Sequence, residues 1–285
     1  MPPSRLVAIS ILAMLAFAGN SLLCRVALAG GAIDAATFTL VRLASGAAFL
    51  AVLVFPGRIR AGLGGDWISA ATLFIYAAGF SFAYLELAAA MGALILFGAV
   101  QLTMIGYGLW VGERANGYQV IGVLLAAGGL VWLLLPGAQA PSLPGAMLML
   151  AAGLAWGIYS LRGRGARNPT RDTAGNFIRA TLIAAPLGLV MIRDFDVDAT
   201  GIGYAIASGA LASGLGYAIW YMALPHLRAM SAAIMQLSVP VLTAAGGVLL
   251  LGEAVSTRLV LASVAILGGV ALFLVSKRKA APKVP

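Results

Sequence analysis

The sequence predicts an all-α integral membrane protein with ten transmembrane helices, built as a five-plus-five inverted repeat with both termini in the cytoplasm. Three observations predict it. Of the 285 residues, 62% are hydrophobic and only 9% are charged, against about 25% charged in a soluble domain; with a mean hydropathy of +1.01, the chain has too few charges to cover a water-facing surface. The apolar residues fall into ten stretches, each near the roughly 20 residues that a bilayer-crossing helix needs. Lysine and arginine collect in every second separator between those stretches.

The stretches run over 6–28, 33–55, 67–88, 91–111, 117–135, 144–162, 172–192, 200–223, 229–250 and 257–276. Turn-forming or charged residues part them: Gly30-Gly31, Pro56 to Asp66, Gly112 to Asn116, Pro136 to Pro144, Arg162 to Arg171, Arg193 to Asp198, Pro225 to Arg228 and Gly252 to Ser256. A transmembrane barrel would show alternating segments of about ten residues; these stretches are longer and apolar on all sides, which is the pattern of a helical bundle. The first stretch, with Arg5 before it and Ala27-Leu28-Ala29 at its end, imitates a signal peptide. It exceeds the usual apolar length of about 7–15 residues and carries Arg25 just before the supposed cleavage site, so it is expected to remain as the first helix.

With the N-terminus inside, thirteen of the 18 Lys and Arg residues lie in cytoplasmic segments, from Arg5 through Arg162, Arg164, Arg167 and Arg171 to the Lys277–Lys283 tail, and only Arg193 and Arg258 lie outside. Cytoplasmic loops retain positive charge, and this asymmetry orients the chain. It also accounts for the net charge of +9 without a nucleic-acid partner, and no stretch resembles a nucleic-acid module. One cysteine (Cys24) and one histidine (His226) exclude an internal disulfide and most metal or proton-relay chemistry. No metal, cofactor or obligate protein partner is expected; the partners are the lipid bilayer and a small solute.

The halves 1–140 and 141–285 resemble one another. Residues 108–135 align with 248–275 at an offset of 140, superposing Gly112-Glu113 on Gly252-Glu253 and Gly128-Gly129 on Gly268-Gly269. Upstream, an offset of 137 places Gly79 on Gly216, Phe80 on Tyr217 and Tyr84 on Tyr221. Five helices per half is an odd number, so the second half must be upside down relative to the first. Carriers built this way hold their solute near the midplane between the repeats.

The Gly-Glu pair closing the fourth helix of each half, the ten helices and above all the stretch PVLTAAGGVLLLGE (240–253) resemble the drug/metabolite transporter superfamily, EamA type, over nearly the whole chain. Within it the sequence is most similar to the YddG-type bacterial exporters of aromatic amino acids. The resemblance implies an inner-membrane, multi-pass exporter of small organic solutes whose central cavity opens alternately to each side. Two departures stand out. The first half has Val100 where the second has Pro240, so a proline hinge is single and Gly98 is expected to supply flexibility opposite it. The small multidrug antiporters of the superfamily use a glutamate deep in their first helix, where this chain has Phe17, Asn20 and Ser21.

Polar groups at mid-membrane depth are expensive and mark cavities. Arg42 lies nine residues into its stretch, about 13 Å along it at 1.5 Å per residue, and its planar guanidinium matches a carboxylate. Snorkelling, or binding to backbone carbonyls, is its other reading; for Arg179, snorkelling to the cytoplasmic surface is the easier one. Gln101, Gln236, Asn20 and Asn176 sit at mid-depth; amides can serve a zwitterion or hold helices together at about 1 kcal/mol. Tyr76, Phe80, Trp156, Tyr159, Tyr217 and Trp220 lie away from the interfacial belts where such rings collect and can stack on an aromatic solute or attract an ammonium. Glu86, at the outer end of the third stretch, is a candidate proton carrier or simply solvated; Glu113 and Glu253 read as structural. The 36 glycines, about 13% against a usual 7%, let helices approach closely, as in Gly122-x-x-x-Ala126. Pro186 and Pro240 lie within apolar stretches, and Pro240 with Gly98 forms the expected gating pair.

An intramembrane protease would need Ser with His, HExxH or paired membrane aspartates, and a channel would need a carbonyl filter or a ring of charge; the sequence offers none of these. It predicts an alternating-access exporter of small zwitterions, foremost aromatic and other apolar amino acids. Arg42 is expected at the carboxylate, Gln101 and Gln236 at the polar backbone, and Trp156, Tyr76, Phe80 and Tyr217 around the side chain, with Asn20 and Asn176 as further candidates. A nucleoside or lipophilic-cation exporter, or a proton-coupled antiporter, is the alternative.

Overall fold

The structure, a computed structural model, describes residues 2–54, 63–112, 114–137, 139–164, 166–191, 198–223, 226–227 and 235–276. Among these the chain is all helical: α1 (Pro3–Ala29), α2 (Ala35–Val54), α3 (Trp67–Ala83), α4 (Ala89–Trp110), α5 (Gly117–Leu134), α6 (Leu143–Arg162), α7 (Pro169–Met191), α8 (Ala199–Ala223), α9 (Ser238–Leu251) and α10 (Thr257–Ser276). Seven of them, α1, α2, α4, α5, α6, α8 and α10, are long and apolar enough to cross a bilayer. Large apolar side chains stand outward along them, among them Leu124 at 66% and Val264 at 67% exposure. In water that surface would be a liability; against acyl chains it is the solvated one.

Local chemistry starts several of the helices. The Asp34 carboxylate accepts from the N–H groups of Ala36 (2.9 Å) and Thr37 (2.8 Å) ahead of α2. Asp66 accepts from Ile68 and Ser69 at the start of α3. Asn116 and Gln119 form a reciprocal capping box on α5. The third stretch ends earlier than its hydropathy suggests, at Ala83 rather than at 88. The cause is tertiary: the Arg25 guanidinium of α1 donates to the Tyr84 carbonyl at 2.9 Å and reaches that of Leu85. Those carbonyls gain a cation in place of the next helical turn. Glu86 consequently sits exposed in a turn, so its reading as an intrahelical proton carrier is corrected.

Pro240 sits beside a break in the helical ladder: residues 235–236 are helical, Leu237 is a turn with helical backbone angles (φ −66°, ψ −16°), and α9 begins at Ser238. A proline has no N–H for the carbonyl four residues back, so the interruption falls where the ring removes that bond. Pro186 does lie inside its helix. The expected start of the ninth stretch, at 229, and Glu113 lie outside the described residues, as do many of the loop arginines.

α2 packs on α7, α5 on α10, and α4 on α9; α6 receives α3 and α4, and α1 receives α8 and α9; α3 also touches α7, and α8 touches α2. The α5–α10 seam depends on missing side chains. A Cβ on Gly122 would lie 2.6 Å from the Gly269 carbonyl oxygen, and Ala126 is fully buried against the same turn of α10. In α8 the backbone widens into a π-helical stretch over Ala207–Leu215, a run of small residues. Gly209 there lies so close to the Arg42 carbonyl that a side chain cannot fit.

Candidate functional site

The inner faces of α1, α4, α6 and α8 meet the residues just before α9 around a cavity of about 350 Å³. Its wall holds Phe17, Gln101, Trp156, Tyr159, Tyr217, Trp220 and Gln236, and its mouth reaches Gly163, Arg164 and Leu227. Deeper in, it narrows to a cleft of about 20 Å³, with room for roughly one water, between Asn20, Ser21, Tyr76, Phe80, Ser213 and the same Trp156, Tyr217 and Gln236. Spacing places these rings: Tyr76 and Phe80 are one turn apart on α3, and Tyr217 and Trp220 occupy one face of α8.

The rings form a continuous layer. Trp156 lies 4.8 Å from Tyr76, 5.1 Å from Tyr217 and 5.4 Å from Tyr159, centroid to centroid, the last pair stacked. Phe17 meets Tyr217 and Trp220 edge-on. Offset and edge-on arrangements at these separations are the favourable ones for ring quadrupoles, and an aromatic solute inserted here would find faces and edges on several sides.

Arg42 is one layer behind that wall. It is 1% exposed. Its Nη2 donates to the Tyr76 hydroxyl at 2.9 Å, and its Cζ lies 4.8 Å from the Phe80 ring centroid and 5.1 Å from that of Tyr76. The Nη1 atom has no hydrogen-bond partner among the described residues. Asn20 also donates to the Tyr76 hydroxyl, at 3.3 Å, and accepts from Ser208 of the π-helical stretch at 2.7 Å. The structure therefore corrects direct contact between Arg42 and the open cavity: a mid-membrane guanidinium is held by ring faces and a hydroxyl, and these stand in front of it. Gln101 is on the wall with its amide nitrogen buried and unpartnered, and Gln236 joins both cavity and cleft.

Asn176 stands apart from this constellation. Its Oδ1 accepts the Asp66 N–H at 2.9 Å and its Nδ2 donates to the Tyr159 hydroxyl at 3.4 Å. It belongs to a polar clasp at the α6–α7 end, where Asp172 accepts from the Gly65 N–H and Asp66 pairs with Arg162 at 3.0 Å. Partial burial pushes the Asp66 carboxyl up, but hydrogen bonds from Ser69 and the Arg162 guanidinium outweigh it and hold the carboxyl below its ordinary 3.8. Arg179, expected to snorkel, donates to the backbone carbonyls of Gly64 at 2.7 Å and Gly175 at 3.1 Å. Gly98 faces α10, where a Cβ would meet Ile266, so neither member of the expected gating pair lines the cavity.

The opposite end is shut. Glu253, just past the left-handed Gly252 (φ 65°), accepts the Ala89 N–H at 2.8 Å and pairs with Arg25 at 3.2 Å. Below them the Phe80 and Tyr84 rings pack at 4.7 Å. Composition did not single out Ser208, Ser213, Met104 or Ser160; the only signal was the small-residue run 207–215, which reads as ordinary helix packing.

A bundle of span-length apolar helices around a ring-lined chamber, open at one end and clasped at the other, defines a multi-span membrane transporter. Residues 143–275 match the EamA-like transporter family. The uncharacterized protein PA1977 of Pseudomonas aeruginosa is 57% identical over 275 residues, 96% of each chain. The threonine/homoserine exporter RhtA of Escherichia coli K12 is 33% identical over 150 residues, 51% of this chain and 50% of that one, and its Salmonella typhimurium counterpart is 33% identical over 152 residues. A solved crystal structure superposes with a TM-score of 0.68 over 97% of this chain and 99% of that one, at 21% identity, and so shares the fold. The chain thus carries an EamA-like transporter domain over residues 143–275.

Proposed function

We propose that this protein is an alternating-access exporter of small amino acids, with aromatic and other apolar ones preferred, in the inner membrane. It crosses the membrane ten times as two inverted five-helix repeats, residues 1–140 and 141–285, with both termini in the cytoplasm. The observation that carries the substrate reading is the chamber of about 350 Å³ in which Trp156, Tyr217 and Phe17 face Gln101 and Gln236. The rings take an apolar side chain, and the amides take the polar end. The half-chain similarity to exporters of threonine and homoserine supports an amino-acid substrate and makes threonine the comparison compound.

The packing supports the inverted repeat. Exchanging each helix with the one five places on turns α3–α6 into α8–α1, α4–α6 into α9–α1 and α3–α7 into α8–α2, and returns α2–α7, α4–α9 and α5–α10 to themselves. The aligned glycines follow the same exchange: Gly79 packs on α6 at Leu148 and Ala152, and Gly216 packs on α1 at Ala16 and Phe17. With the N-terminus inside, the open mouth at Arg164 faces the cytoplasm, which is the loading state of an exporter.

Uptake of labelled phenylalanine and threonine into proteoliposomes tests the reading, with Arg42→Ala and Gln236→Ala alongside. Transport is expected for phenylalanine, and loss in both variants. Undiminished transport in both would show that the assigned chamber is not the path.

A further inference from the structure

Arg42 is a buried cation without a counter-ion among the described residues. The titratable groups facing it are Tyr76, Tyr217 and Cys24, none of them a carboxylate. Only two ion pairs occur among the described residues, Arg25–Glu253 and Arg162–Asp66, and neither includes it. No aspartate or glutamate lines the chamber or the cleft, whereas Arg164 stands at the mouth. Removing a guanidinium from water without an opposite charge is expensive, and its Nη1 and the Ser213 hydroxyl on the cleft wall are both buried and unpartnered.

We infer that the solute's own carboxylate is the counter-ion of Arg42, that the cleft widens to admit it beside Tyr76 and Ser213, that the Tyr76 hydroxyl held by Arg42 at 2.9 Å links it to the guanidinium behind, and that the site does not recognise an ammonium. This rests on the transport reading above and deepens it: the preferred substrates are aromatic and apolar monocarboxylates, such as 2-hydroxy or 2-oxo acids, and the zwitterionic amino acids are weaker members of the class. A monoanion neutralises Arg42. A zwitterion brings in a second positive charge for which the described lining offers only amide oxygens and ring faces. Two like charges roughly 7 Å apart, at an effective dielectric constant near 20, repel by more than a factor of ten in binding. Attraction of the ammonium to ring faces offsets part of that, leaving a preference of about tenfold for the anion.

Isothermal titration of the purified full chain with three ligands that share one ring tests this: phenylalanine, phenyllactate (a hydroxyl in place of the ammonium) and phenethylamine (no carboxylate). Phenyllactate is expected to bind about tenfold more tightly than phenylalanine, and phenethylamine not measurably. Arg42→Gln removes phenyllactate binding. Should that variant fail to fold, Gln101→Glu replaces it, because a carboxylate on the chamber wall reverses the order and favours phenethylamine. Phenylalanine binding as tightly as phenyllactate or better overturns the inference and leaves the amino-acid exporter standing. Absence of binding by both phenylalanine and phenyllactate overturns the exporter reading and this one together.

Discussion

Replacing Glu253 by alanine removes three interactions at the closed end of the chamber, and each has a magnitude. The carboxylate is the acceptor for the Ala89 N–H, at 2.8 Å, on the first turn of α4; losing a side-chain acceptor of this kind costs about 1 kcal/mol. A negative charge at a helix N-terminus contributes about another 0.5 kcal/mol. Arg25, whose side chain is 21% exposed, keeps the Tyr84 carbonyl but loses its ion pair, for about 1 kcal/mol more. The sum is about 2–3 kcal/mol, and at roughly 2–4 °C per kcal/mol for a chain of this size the melting temperature in detergent should fall by about 5–10 °C. Tryptophan fluorescence against temperature measures it, and Arg25→Ala with the double variant completes a cycle. Because the two side chains touch, the cycle should give a coupling near 1 kcal/mol. A shift below about 2 °C, or strictly additive single variants, would refute the reading of this clasp as the joint that ties α1, α4 and the α9–α10 turn together.

Trp156→Ala should leave the fold intact but raise the KM for phenylalanine about tenfold, with a smaller effect on threonine, since the ring contributes stacking more than polar contact; initial rates in proteoliposomes decide. Gly122→Leu should unseat the α5–α10 seam and cost at least about 2 kcal/mol of stability, seen as loss of a monodisperse peak on size exclusion, because the nearest obstacle is the backbone of Gly269. The Asp66 carboxyl is held below its unfolded value, so its contribution is full above the ordinary 3.8 and disappears as pH falls through the folded value. Thermal stability should therefore drop on acidification below about pH 4, and Asp66→Asn should flatten that part of the profile. With no carboxylate on the described chamber wall, a pH gradient alone should drive little amino-acid flux; strong proton-driven accumulation in liposomes would contradict this.

The sequence by itself determined the solvent of this protein and the periodicity of its elements. A mean hydropathy of +1.01 leaves a chain only lipid to face, and helix is what satisfies its backbone there. It also raised the expectation of an internal repeat, through Gly79 and Gly216 and the paired Gly-Glu corners, and it offered the residue types of the chamber, because Gln101, Gln236, Trp156 and Tyr217 are conspicuous in the middle of apolar stretches. Tertiary structure decided what those residues face. Arg42 and Asn176 had the same sequence warrant as Gln101, yet one is sealed behind Tyr76 and Phe80 and the other serves the Asp66 clasp. The end of α3 at Ala83 was invisible locally because Arg25, 59 residues away, accounts for it. The physical reason is common to all three. Hydropathy reports how much a segment avoids water, and in a membrane nearly every face does so. The direction of a polar side chain within the bundle is therefore set by which partner from a distant helix reaches it.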